Sequence, residues 1–207
     1  ELKKQYEATV LTPYTFQNKV YGLPITLDYH LLFIRDDIFD ELGLQVPDTW
    51  TELYDMLPTL QRSNMTVGLP YTTMSSQATV DGGMGAKDLF SALVLQRGGT
   101  FYNENASKAI LDSKNVMDAF KQWTEYYQKY ELPLTYDFYN RFRTGEMPIG
   151  IAGYTLYNQL CVGAPELSGL WEMRQLPGTP REDGSLNRAA GLTGTSAVIF
   201  NKCDKEN

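Results

Sequence analysis

Cysteine and histidine are almost missing from this 207-residue chain, which has two of the first, Cys161 and Cys203, and one of the second, His30. Two cysteines set this far apart define no disulfide framework, and the expectation is two free thiols, buried or half-buried. A single histidine with no second ligand at a metal spacing argues against a metal centre. With no serine or cysteine placed by motif beside it, it argues equally against a hydrolytic triad. Glycine-rich phosphate motifs, the G-x-G-x-x-G run and the P-loop, are absent as well, so neither cofactor nor metal is expected. Basic clusters are also lacking. Net charge is −7, and an acidic chain repels phosphate backbones, which excludes nucleic acid as the expected partner. No apolar run approaches the roughly 20 residues that span a bilayer. No internal repeat and no low-complexity tract is seen. The chain opens on Glu1, in a polar helix-like segment without initiator Met or signal peptide, and stops at Asn207 just after a strand-like run. It reads as a piece of something longer.

What remains is an ordinary globular composition: 43% hydrophobic and 21% charged residues. A chain of this size buries about 70% of its unfolded surface, enough for one real core. Aromatics are plentiful, with Tyr 14, Phe 9 and Trp 3. Tyrosine offers a flat apolar face and a polar tip, which suits polyhydroxylated ligands. Strands and half-exposed helix faces account for most of the fourteen.

Periodicity and punctuation divide the chain into alternating elements. Residues 1–9 look like the end of a helix, and 19–24 like a short strand closed by Gly22 and Pro24. The run 29–34 reads as a buried strand, followed by a short helix over 36–42 stopped by Gly43. Thr49-Trp50-Thr51-Glu52 has capping-box spacing, opening a helix to about Arg62 in which Pro58 demands a kink or break. A strand over 66–71 and a long polar loop over 72–85 come next. Helices are expected over 86–97, ended by Gly98-Gly99, and over 113–130, with Val116, Phe120, Trp123 and Tyr127 as its core stripe. A helix over 137–144 ended by Gly145, a strand over 148–152, a helix over 155–162 and a strand over 171–176 complete the alternation. Residues 177–187 read as a polar turn, 191–195 as a Gly/Thr loop and 196–200 as a final strand. Strands alternating with helices predict an α/β layered domain with a mostly parallel or mixed sheet.

Three segments carry a resemblance. The first is Tyr21-Gly22-Leu23-Pro24, Leu32 to Phe39, Leu42-Gly43-Leu44 and Pro47-Asp48-Thr49-Trp50-Thr51-Glu52-Leu53. The second runs from Phe142 to Gly153. The third is Leu176-Pro177-Gly178 with Gly191-Leu192-Thr193-Gly194-Thr195. In this order they resemble the family 1 extracellular solute-binding proteins, the group of maltose-binding protein, over roughly 19–202. Two departures are visible: Pro148-Ile149 stands where the family usually has Ala-Met, and Tyr154-Thr155 where many members carry tryptophan.

The resemblance implies a periplasmic-binding-protein-like II fold: two α/β lobes joined by crossover strands, with ligand in the cleft. On that reading residues 1–207 form a single lobe, the second, a mixed sheet flanked by helices, with crossover segments near 23–34 and 195–202. The partners implied are a small polar solute, a carbohydrate in view of the family's commonest ligands, and ABC permease subunits. The location implied is extracellular or periplasmic, with the membrane reached only through a lipid anchor or fusion outside this piece.

The expected site residues lie where loops meet strand ends and helix N-termini. Tyr154 follows Gly153 at a strand-to-helix turn, and it or Tyr157 must supply any aromatic that stacks on a sugar. Lys87 and Asp88 open the 86–97 helix, where Asp88 is equally well a first-turn charge favoured by the helix dipole. Gly191, Thr193, Gly194 and Thr195 could bring backbone amides to a ligand or form a plain turn. Tyr136 and Asp137, at the start of a helix, and His30, a hinge or strand residue, are weaker candidates. The expected class is a binding module and not an enzyme. A secreted carbohydrate-active hydrolase using a carboxylate pair such as Glu125 and Asp137, and a ligand-sensing or docking domain, stand as alternatives.

Overall fold

A computed structural model describes residues 5–69 and 86–200. Two compact units are distinguished, one of Glu1–Asp28 with Leu192–Asn207 and one of Tyr29–Gly191.

In the smaller unit the expected helix over 1–9 falls partly outside the described residues; within them lie a short helix, α1 (Ala8–Leu11), and a 3₁₀ turn, Thr12–Tyr14. A hairpin of β1 (Thr15–Phe16) and β2 (Lys19–Val20) follows, in register Thr15↔Val20. Its two-residue loop, Gln17-Asn18, has φ of 47° and 63°, the mirror-image turn that matches strand twist. Strand β3 (Leu23–Arg35) then leaves this unit and runs on as the central strand of the larger one. The final strand, β9 (Leu192–Ala197), pairs with β3. It therefore covers the segment expected to be a Gly/Thr loop. The physical reason is Gly194: a Cβ there would lie 2.5 Å from the Thr26 carbonyl oxygen, so glycine permits a close strand approach. Thr195 N–H donates to Thr26 Oγ1 at 3.2 Å.

The larger unit is a mixed sheet flanked by helices. The helices are α2 (Asp36–Leu42), α3 (Trp50–Arg62), α4 (Ala86–Gln96), α5 (Lys114–Gln128), α6 (Phe138–Thr144) and α7 (Thr155–Gly163). The strands are β3, β4 (Val67–Gly68), β5 (Ile149–Gly153) and β6 (Trp171–Arg174), in the order β4-β5-β3-β6. β4 and β5 are parallel, whereas β5 and β6 run antiparallel to β3. A small hairpin of β7 (Thr179–Pro180) and β8 (Leu186–Asn187) lies within the expected polar turn.

Local signals work as physics requires. Thr49 accepts from Glu52 N–H and Glu52 accepts from the Thr49 N–H, the full capping box. Gly43 and Gly145 end α2 and α6 at φ of 65° and 85°, conformations that cost other residues a Cβ clash. Asp137 caps α6 by accepting from Asn140 N–H. Pro58 sits inside α3 without breaking it. Its ring is on the exposed side, where carbonyls freed by the missing N–H reach water.

Alternation along the strands sends side chains to opposite faces. From β3 and β5, Leu32, Ile34, Ile149 and Ile151 enter a core shared with α3, α4 and α5. Phe33 and Ala152 enter a second core with Phe138 and Phe142 of α6 and Leu156 and Leu160 of α7.

The stripe expected on α5 is a correction. The buried line is Val116, Ala119, Gln122 and Tyr126. Phe120 is 44% exposed, and Trp123 and Tyr127 are only partly buried. These three flank the line in an aromatic cluster with Phe90. Gln122 can occupy the buried line because it accepts from Arg97 and donates to the Tyr126 hydroxyl at 3.1 Å.

Candidate functional site

The second face of the sheet leads to the site. Tyr29 shares the odd-numbered side of β3 with Leu31 and Phe33, both packed on the second core. β5 ends at Gly153, which pairs with His30. The next residue, Tyr154, is the N-cap of α7, and its N–H donates to the Tyr29 carbonyl at 3.0 Å. One helical step on, Tyr157 N–H donates to the Tyr154 carbonyl. The middle of β3, the end of β5 and the start of α7 thus bring three tyrosines together.

Their rings form a row. Tyr29 and Tyr154 are stacked, with centroids 5.3 Å apart and planes 13° apart. Tyr154 and Tyr157 are 5.6 Å apart and 3° apart. Tyr157 meets the Trp171 ring at 5.9 Å and 64°, and Trp171 stacks in turn on Phe33 inside the core. The row is therefore anchored at one end and open at the other, where Tyr29 is 43% exposed. The hydrogen bond that Tyr157 shares with the Cys161 sulfur, one turn along α7, raises the Tyr157 phenol above its ordinary pKa.

Of the residues expected to form the site, Tyr154 and Tyr157 are brought together here. His30 occupies the even side of β3, is 2% exposed, and so projects away from the face that carries Tyr29. Tyr136 is half-buried and packs edge-on against Phe138 at 6.3 Å. Thr193, Gly194 and Thr195 belong to β9 in the smaller unit, and Gly191 is the last residue of the larger. Lys87 and Asp88 fall in the first turn of α4, but their side chains, like that of Thr193 and the loop over 70–85, lie outside the described residues. Cys161 is a free thiol, exposed rather than buried, and Cys203 is outside the described residues. Asp137 is committed to capping α6.

Tyr29 and Trp171 escaped the sequence reading. Counting alternate residues back from Phe33 places Tyr29 on the Phe33 side, a signal available in the sequence. From the sequence Trp171 signals only the start of a strand.

A second concavity, about 350 Å³, lies between α3, α5 and the β7–β8 hairpin, lined by Trp50, Tyr54, Arg97, Lys121 and Glu125 among others. Two of its polar groups, on Trp50 and Tyr54, serve the fold. The Trp50 indole donates to Gln96 at 2.7 Å and the Tyr54 hydroxyl to the Gln122 carbonyl at 3.4 Å. The Tyr54 ring packs against Tyr126 and Tyr130, and burial pushes its phenol up to about 12.

Comparison with known proteins places this geometry. Among curated proteins none matches the chain significantly. Among solved structures, an ABC-transporter solute-binding protein of Thermotoga lettingae bound with α-D-tagatose superposes with TM-score 0.71 at 22% identity, covering 96% of this chain and 50% of that one. Maltose-bound MalE3 of T. maritima gives TM-score 0.73 at 21% identity, over 94% and 49%. UgpB of Mycobacterium tuberculosis, in complex with glycerophosphocholine, gives 0.72 at 18%, over 98% and 48%. The fold is thus that of periplasmic-binding-protein-like solute-binding proteins, and the chain spans about half the length of these structures. Among the described residues no helix is long and apolar enough to cross a membrane. The family model for bacterial extracellular solute-binding proteins matches residues 1–202, and the chain belongs to that family.

Proposed function

We propose that this chain supplies one binding wall of an extracellular solute-binding protein that captures a small polar solute of the sugar class for uptake by an ABC permease. The carrying observation is the tyrosine row at the start of α7, open at Tyr29. A phenol ring offers an apolar face to the C–H side of a sugar and a hydroxyl to its oxygens. In this reading the unit Tyr29–Gly191 is the second lobe, with crossover segments near 23–34 and 195–202. The protein works outside the cell or in the periplasm, held to the membrane by an anchor beyond these residues. Its role is capture and release, and no step of catalysis is assigned to it.

A transport receptor must let go of its cargo, so affinity near micromolar, about −8 kcal/mol, suits the full-length protein. A chain with one wall makes about half the contacts at an undiminished cost of immobilising the ligand, so millimolar binding is expected of it. The test is a thermal-shift screen against maltose, D-tagatose and glycerophosphocholine, because a ligand at a hundred times its Kd stabilises by about 2.7 kcal/mol. Sugars should raise the melting temperature at tens of millimolar. Turnover of an aryl glycoside, or submicromolar sugar binding by this chain alone, would overthrow the reading.

A further inference from the structure

We infer that Tyr29, not Tyr154, presents the ring face on which the solute stacks, and that Tyr154 positions that ring; this rests on the solute-binding reading above. Tyr154 sits in the middle of the row. Tyr29 lies nearly parallel to it at 5.3 Å and Tyr157 nearly parallel at 5.6 Å, while Tyr29 and Tyr157 make no ring contact with each other. Such centroid spacings are those of offset stacks, so Tyr154 already shares its faces with protein rings. Tyr157 is closed on its far side by Trp171. Tyr29 differs from both. Among the described residues Tyr154 is its one ring partner, and it is 43% exposed.

Position strengthens the assignment. Tyr29 is held in a long strand that is hydrogen-bonded on both sides further along, through β5 and β6. Its own carbonyl accepts the Tyr154 N–H, which fixes the backbone of both rings relative to each other. A platform held in this way loses little conformational freedom when a ligand arrives, and preorganisation of this kind favours affinity. Tyr154, as N-cap of α7, ties the platform to the helix start, where the exposed Thr155 and Asn158 supply polar side chains.

The experiment follows the tyrosine ring signals of the isotope-labelled chain by NMR while maltose, D-tagatose or glycerophosphocholine is added. Tyr29 ring signals should shift most, and Tyr29→Ala should weaken sugar binding about tenfold, with Tyr29→Trp restoring it. Tyr154→Ala should weaken binding too, but with the Tyr29 ring signals already displaced in the free protein, and Tyr154→Phe should return them. Phe120→Ala, at an exposed aromatic elsewhere on the chain, should leave binding as in the parent. Sugar binding that survives Tyr29→Ala unchanged, with Tyr154 showing the largest shift, overturns the assignment while leaving the solute reading intact. No shift of any of the three rings with any of the three solutes removes the solute reading and the assignment with it.

Discussion

The two faces of the sheet in the larger unit differ in the strand side chains they present and in where their ring contacts lead. One face packs aliphatic side chains, Leu32, Ile34, Ile149 and Ile151, against three helices. The other packs Phe33, Phe138 and Phe142 with two short helices, and its aromatic contacts run on through Trp171 and Tyr157 to the surface at Tyr29. The first core is the larger, with Phe39, Trp50 and Tyr126 buried among its aliphatic side chains. The second, smaller core both fills a layer and holds rings outward in fixed orientation. The division of labour is the lesson: the first face should carry most of the folding free energy, and the second the ligand.

The hardest test of that division is in the first face. Leu57 of α3 is fully buried there, and Leu57→Ala should cost about 3 kcal/mol, within a range of roughly 2–5. In a chain of this size that is a fall of about 10 °C in melting temperature, readable by calorimetry. A loss of under about 1 kcal/mol would show that this face is not the main support.

The second face is sensitive in a different way, to added volume. A Cβ at Gly150 would run into the Phe138 ring, with the Gly68 carbonyl oxygen only 2.9 Å away. Gly150→Ala should therefore destabilise by about 2 kcal/mol, the usual scale of overpacking. Combined with Phe138→Leu, the two losses should sum to less than their separate values, since the pair shares one site. Strict additivity in chemical denaturation would mean that ring and glycine do not compete for the same space.

Much of this architecture is legible in the sequence where one interaction decides the outcome within a few residues. The capping box at Thr49 and Glu52 needs only its four-residue spacing, and the left-handed stops at Gly43 and Gly145 need only the missing Cβ. Thr49→Ala should remove about 1 kcal/mol, seen as a small shift in denaturation midpoint, and no change would mean that Glu52 alone secures the helix start. What was not legible depends on partners far away in the chain. Gln122 reads as polar and exposed until Arg97 and Tyr126 are placed beside it. Gly194 reads as a turn until Thr26 lies across from it. At the site, Tyr154 and Tyr157 were visible through their place after a strand-closing glycine, but the ring that completes the row comes from a strand more than a hundred residues earlier.

A charged tie joins the end of β3 to α6. Arg35, buried at the end of β3, donates to the carbonyls of Phe142 and Arg143 and pairs with Asp37 at 2.7 Å. The hydrogen bond from Arg35 holds the Asp37 carboxyl below its ordinary pKa. A carboxylate whose pKa is lowered by folding contributes stability that is full above the unfolded value, about 3.9, and is lost as pH falls through the lowered one. Asp37→Asn should therefore destabilise at pH 7 and converge on the parent under strongly acid conditions. Partial exposure keeps the effect below about 1 kcal/mol, so the measurement is the difference in melting temperature between parent and variant at several pH values. A gap that widens as pH falls would contradict the assignment.

The smallest stability effect should come from the residue with the largest functional one. Tyr29→Ala removes a ring that is nearly half exposed and stacked on a single neighbour, so its cost should lie near the low end for an aromatic pair, about 0.5 kcal/mol. The same substitution should weaken sugar binding about tenfold. A ring that belonged to the second core would behave oppositely, with a drop of several degrees in melting temperature and no selective loss of binding. Measuring both quantities on one variant thus separates a platform from a packing residue, because stability and affinity respond to different faces of the same ring. Folding sees the side that lies on Tyr154, and the solute sees the side that is open.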